Sequence, residues 1–350
     1  MHPSNPLRYD IVMATRNRPE AVELSLPLIL AQTRLPERIV FVDSSDDPEP
    51  IRRIVEAAMA TASVPMELHR SEAGLTLQRN IGIARCAADV VILPDDDSLL
   101  FPDAAAEIMD VYERDAAGRI AGVAAAPSSR PPEGVDIGQA AYEAEAPSRF
   151  GIGEIRQRLK SRFAGANPVL IVGRRLNARH PMPEWAAARD VVSVAYMTGF
   201  RMSFRRRVLT EGFFDETLRR YGWFEDIDAS FSAMRQGRVV AAERAKIYHH
   251  RHAGKRANGF TMGRWAILNN AYIILKHVRA NPEAFPAPGR EVWRLWLFSL
   301  SRALCYLPGA RDRFGVDRFL GSLAGLRSLA SLVRSRPDRL ADAYNDVVRE

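Results

Sequence analysis

Three consecutive carboxylates, Asp95-Asp96-Asp97, follow the apolar run Val90-Val91-Ile92-Leu93 with only Pro94 between. Like charges at this spacing repel one another unless something positive sits among them, and a divalent cation is the simplest remedy. Hard oxygen ligands suit Mg²⁺ or Mn²⁺, which are commonly held by one or two carboxylates together with the phosphates of a substrate. The carboxyl end of a buried strand is also where open α/β sheets bind ligands. The plainer alternative is a solvated acidic turn that caps a helix beginning near Pro102.

A second acidic group, Trp223-Phe224-Glu225-Asp226-Ile227-Asp228, opens a helix. Carboxylates there are stabilised by the backbone dipole and can be mere caps. Equally, the two aromatics can exclude water and leave Glu225 or Asp226 as general base for a hydroxyl. Three of the seven histidines fall in Tyr248-His249-His250-Arg251-His252. That spacing is not a structural zinc pattern, but neutral imidazole ligates metals, and the cluster can supply a third ligand beside the aspartates. Thr15-Arg16-Asn17-Arg18 and Asp43 end two further strands, where a base and ribose can dock. Arg79 and Asn80 read as surface residues unless the fold turns them toward phosphates.

The elements that must position these groups alternate strand and helix over the first 125 residues, which implies a parallel sheet flanked by helices. Strands are expected at 9–14, 38–43, 66–70 and 89–93, the last being the most apolar and so central. Helices are expected at 19–31, at about 50–60 with Ser44 to Asp47 supplying N-cap chemistry, and from a Thr76 cap to residue 87 with Leu77, Ile81 and Ala84 on one face. Residues 128–190 lose periodicity and read as an irregular insertion or acceptor flap. Regular structure resumes at 195–204, then a helix at about 224–236 and two short strands, 239–242 and 246–249. Beyond Met262 apolar residues recur at helical spacing, among them Trp293, Trp296, Leu297, Leu300 and Leu304. This divides the chain into a domain over 8–256 and a helical C-terminal region over 257–350.

With 350 residues, 47% apolar and 26% charged, the chain can bury a full core and is not disordered. The basic excess is uneven: residues 251–350 hold 17 Lys and Arg against 8 Asp and Glu. Such a region suits phosphates, nucleic acid or an anionic membrane surface. Two cysteines far apart, Cys86 and Cys305, imply free thiols in a reducing compartment. With no apolar leader and no run of about 18 apolar residues, a cytoplasmic location is expected.

Taken together, these segments resemble the family 2 glycosyltransferases of GT-A fold, over about residues 9–256. The segment from Ile11 through Thr15-Arg16-Asn17-Arg18 to Pro19 is similar to that family's nucleotide-binding opening, and Asp43 to the aspartate that contacts base or ribose. Leu77-Gln78-Arg79-Asn80-Ile81-Gly82 resembles its Arg-Asn-x-Gly helix, and Pro94 to Asp97 its metal-binding Asp-x-Asp. Thr198-Gly199-Phe200, Gly212 to Glu216 and Glu225 to Asp228 resemble its acceptor-side signature. The resemblance implies Asp95, Asp97 and His249 on Mn²⁺ or Mg²⁺, with Thr15, Arg16, Asn17, Asp43, Arg79 and Asp96 on the nucleotide sugar. It makes Asp226 the base, with Glu225 orienting the acceptor. It further implies inverting transfer to a saccharide or lipid-linked hydroxyl, in polysaccharide or glycolipid synthesis. The basic C-terminal helices then suit peripheral contact with an anionic membrane at its inner face, and no nucleic acid partner is expected. Two other readings are a nucleotidyltransferase, which would usually show a Gly-rich basic loop after its first strand, and a non-catalytic sugar or nucleotide binder of the same fold.

Overall fold

The structure, a computed structural model, describes residues 6–137, 167–218, 223–251, 258–304 and 313–349. They group into two compact units: one of residues 6–137, 177–218 and 223–251, the other of 167–176, 258–304 and 313–349.

The first unit is built on a nine-stranded sheet in the order β3-β2-β1-β4-β8-β6-β9-β5, with β7 beside β9. The strands β1 (Tyr9–Thr15), β2 (Arg38–Asp43), β3 (Met66–Arg70) and β4 (Val90–Leu93) form the expected parallel ladder. Beyond β4 the sheet is mixed, because β8 (Met202–Arg205) runs antiparallel to both β4 and β6 (Ile120–Ser128). The apolar runs of β1, β2 and β4 are buried on both faces, Val90 to Leu93 at 0–1% exposure. Helices α1 (Pro19–Leu30), α2 (Glu49–Met59), α3 (Leu75–Ile83) and α4 (Ala104–Arg114) follow the strands.

Several local expectations are corrected. Helix α3 is capped by Gly74, not Thr76, and its buried face is Thr76, Gln78, Arg79, Gly82 and Ile83. Polar residues thus occupy the inner side where Leu77, Ile81 and Ala84 were expected. Gly82 explains how closely α3 approaches the sheet: a Cβ there would meet Val12 Cγ1 at 2.3 Å. The two short final strands are one, β9 (Arg238–His249), whose pairing with β6 shifts register between Ala125 and Ala126. That shift absorbs exposed Glu243 and Arg244, which broke the apolar pattern. Within 128–190, residues 138–166 lie outside the described residues. The rest is less irregular than its sequence, with helix α5 (Pro168–Asn177), a 3₁₀ turn (Glu184–Arg189) and β7 (Val191–Ser193). Cys86 is buried and free; Cys305 and His252 lie outside the described residues.

The second unit is helical: α7 (Gly259–Ala280), α8 (Pro288–Leu304), α9 (Arg313–Arg334) and α10 (Leu340–Arg349). Asn258 caps α7 through the Thr261 N–H, and Tyr344 of α10 donates to Asn269 of α7 at 2.7 Å.

Candidate active site

Sheet register assembles the acidic turn. The short strand β5 (Ser98–Leu100), directly after the three aspartates, pairs antiparallel with the end of β9, so that Ser98 faces His249. The His250 N–H donates to the Asp97 carbonyl at 3.0 Å, and His249 Nε2 comes within 3.3 Å of Asp97 Oδ1. Asp95, Asp97 and His249 each offer a ligand atom, and these atoms all lie within 4.8 Å of one another. Two carboxylates and an imidazole form a donor set that fits a divalent cation of the Mn²⁺ or Mg²⁺ kind. Phe200 stacks on the His249 ring at 4.5 Å, which fixes its plane. Ser98, which nothing in its sequence context singled out, ties the turn together: its Oγ accepts the Asp95 N–H at 3.0 Å and donates to the Phe200 carbonyl at 2.9 Å.

Asp96, expected to face a donor sugar or ribose, is instead 0% exposed. Its carboxylate accepts from Thr15 Oγ1 at 2.8 Å and from the Arg18 guanidinium on both oxygens. Arg18 also donates to Asp97 Oδ2 at 3.0 Å. Burial pushes the Asp96 carboxyl up to about 7, against the pull of Arg18. Arg18 was not among the expected binding residues, although its segment was. The guanidinium supplies part of the positive charge that the aspartate run demanded.

The loops after β1 and β2 lock together. Asn17, in the left-handed region at φ 53°, donates its N–H to Ser45 Oγ at 2.8 Å and exchanges side-chain bonds with Asp46. Arg16 is half-exposed and 3.2 Å from Asp46. Asp43 is buried, and its oxygens are taken by Ser45 and Arg70. Gln78 donates to the carbonyls of Thr15 and Val42 at 2.9 and 2.8 Å, joining the carboxyl ends of both strands.

Arg79 overturns the surface reading. It is 1% exposed and forks between two clusters, donating to Asp95 Oδ1 at 2.8 Å and to Glu225 Oε1 at 2.7 Å. Asn80 clamps Phe214, accepting its N–H and donating to its carbonyl. Arg79 therefore faces carboxylates rather than open solvent.

The second acidic group starts helix α6 (Glu225–Ala233), capped by Phe224 at φ 76° and stacked on Trp223 at 4.8 Å. A left-handed aromatic is a costly backbone state that recurs at functional sites. Asp226 accepts the Gly199 N–H at 3.0 Å and the Ile227 N–H at 2.8 Å. Burial pushes its carboxyl up to about 6, opposed by these two N–H groups and Arg79. Glu225 is also pushed up, by burial and by Asp226, against Arg79. Gly199 is the common neighbour: a Cβ there would meet Glu225 Oε1 at 3.3 Å, Arg79 Nη2 at 3.4 Å and Asp95 Oδ2 at 3.8 Å. The two acidic groups thus converge on one point, across well over a hundred residues of sequence.

The mixed α/β sheet, with an Asp-x-Asp turn at a central strand end faced by a second carboxylate pair, has the GT-A fold. Residues 10–158 match the family model of glycosyl transferase family 2. No curated protein matches the sequence. Among solved structures, S. aureus TarS 1-349 in complex with UDP superposes at TM-score 0.50 and 14% identity, over 98% of this chain and 90% of that one. Mannosyltransferase PcManGT from Pyrobaculum calidifontis, in complex with GDP-Man and Mn2+, superposes at 0.48 and 16%, over 99% and 87%.

Proposed function

We propose that the protein is a metal-dependent, inverting transferase that moves a sugar from a nucleotide-diphosphate donor to the hydroxyl of a saccharide or lipid-linked acceptor, in cell-surface polysaccharide or glycolipid synthesis. The observation that carries this reading is the convergence of the Asp95, Asp97 and His249 set with Asp226 around Gly199. The loops at Thr15 to Asn17 and Asp43 receive the nucleotide, Asp43 acting through the Arg70 guanidinium it holds. Asp95, Asp97 and His249 would hold a divalent cation, which would supply positive charge beside the donor diphosphate. Asp226 takes the proton of the acceptor hydroxyl as that oxygen bonds to the anomeric carbon. The bond from that carbon to the diphosphate breaks with its electron pair going to the leaving nucleotide. With its carboxyl raised to about 6, Asp226 is ionised at neutral pH and still basic enough to accept the proton. Glu225 keeps Arg79 in place, and Arg79 holds the metal-side Asp95.

The test pairs turnover with calorimetry. Asp226→Asn should lower turnover about a thousandfold and leave Mn²⁺-supported binding of the nucleotide sugar within about twofold. Unchanged turnover would reject Asp226 as base. Donor affinity that survives chelation of the metal would reject the cation's role.

A further inference from the structure

Helix α8 buries one face and leaves the other apolar. Glu291, Leu295, Ser299 and Ala303, four residues apart, are its buried positions. On another side Trp293, Leu297, Leu300 and Leu304 are 64%, 47%, 49% and 52% exposed. Their spacing of four, three and four sets them in one stripe along the helix. A helix face turned to water normally carries charge, and a contiguous exposed apolar stripe marks an interaction surface.

The charges around the stripe select its occupant. The charged residues that flank the stripe are cations, Arg290 and Arg294; Arg302 lies round the helix in the row of buried Glu291 and Leu295. The one acid of the helix, Glu291, is buried and bound by Arg294 at 2.9 Å and Arg175 at 3.4 Å. A second copy of the same face would bring leucine to leucine but no counter-charge to Arg290 and Arg294. An anionic bilayer satisfies both features: leucines enter the acyl boundary, Trp293 lies at headgroup level, and guanidinium groups meet lipid phosphates. Among the described residues no helix is long and apolar enough to cross a membrane, so a bilayer contact by α8 would run along the interface.

We infer that the Trp293, Leu297, Leu300 and Leu304 face of α8 docks the protein on an anionic lipid bilayer. This rests on α8 and its charges, not on the catalytic reading above. The test is flotation of the full chain with vesicles of phosphatidylcholine alone, or with about one third phosphatidylglycerol. The native chain should float with the anionic vesicles and much less with the neutral ones. Leu297→Ser combined with Leu300→Ser should weaken binding about tenfold or more, at positions whose exposure spares the fold, checked by an unchanged melting temperature. Arg290→Gln should weaken it about fivefold, and only on anionic vesicles. Absence of flotation, or flotation unchanged in both variants, overturns the proposal. So does a concentration-dependent dimer that the leucine variant dissolves while vesicle binding stays absent.

Discussion

The aspartate turn and Asp226 are alike in charge and differ in what bonds their carboxylates directly. Asp95 to Asp97 sit in a turn held by sheet register and are balanced by guanidinium groups, Arg18 on Asp96 and Asp97 and Arg79 on Asp95. Asp226 sits at a helix start and is held by two backbone N–H donors. Guanidinium partners keep charge in place for a cation and a diphosphate. Amide donors orient a carboxylate while leaving it able to accept a proton. Environment, not residue type, separates a ligand group from a base.

The largest expected effect comes from the one residue that joins the groups. Arg79→Met leaves Asp95 and buried Glu225 without their shared partner, and breaking a buried pair this way costs about 3–5 kcal/mol of stability. Urea unfolding would measure it, and a loss under about 1 kcal/mol would mean that the two groups are independent. A smaller effect distinguishes the base from the ligands through pH. Because Asp226 must be ionised to work and burial raises its carboxyl to about 6, kcat should be flat above that value and fall about tenfold per pH unit below it. An acid limb near the ordinary aspartate value would remove Asp226 from that role. The smallest change should follow Arg18→Gln, which withdraws a positive charge from beside Asp97. Mn²⁺ titration without donor should then show severalfold tighter binding; weaker binding would show that Arg18 chiefly organises the ligands.

Much of this was legible from local pattern. The apolar runs of β1 to β4 and the polar residues at their carboxyl ends placed Asp95, Asp97 and Asp43 where they are found. His249 and Asp226 were legible through resemblance, because nothing local says which distant strand end adjoins the aspartates. What sequence hid was burial of charge. Arg79 on a short helix looks solvated, and its burial is made tolerable by Asp95 and by Glu225, the latter far along the chain. Arg18 was hidden for the same reason. β9 was split in two because Glu243 and Arg244 interrupt its apolar pattern, and a bulge is a property of the paired strands, not of one of them.

The pairing of Ser98 with His249 also sets an order of assembly. The first four strands can form their parallel ladder from residues 9–93 alone, yet the third ligand arrives on the last strand of the sheet. During synthesis a chain that has emerged only through the aspartate turn holds a repelling acidic cluster without its imidazole. If the proposed site holds a metal, its capture would report a completed sheet, and a chain truncated before β9 would lose the ion before it lost its first strands.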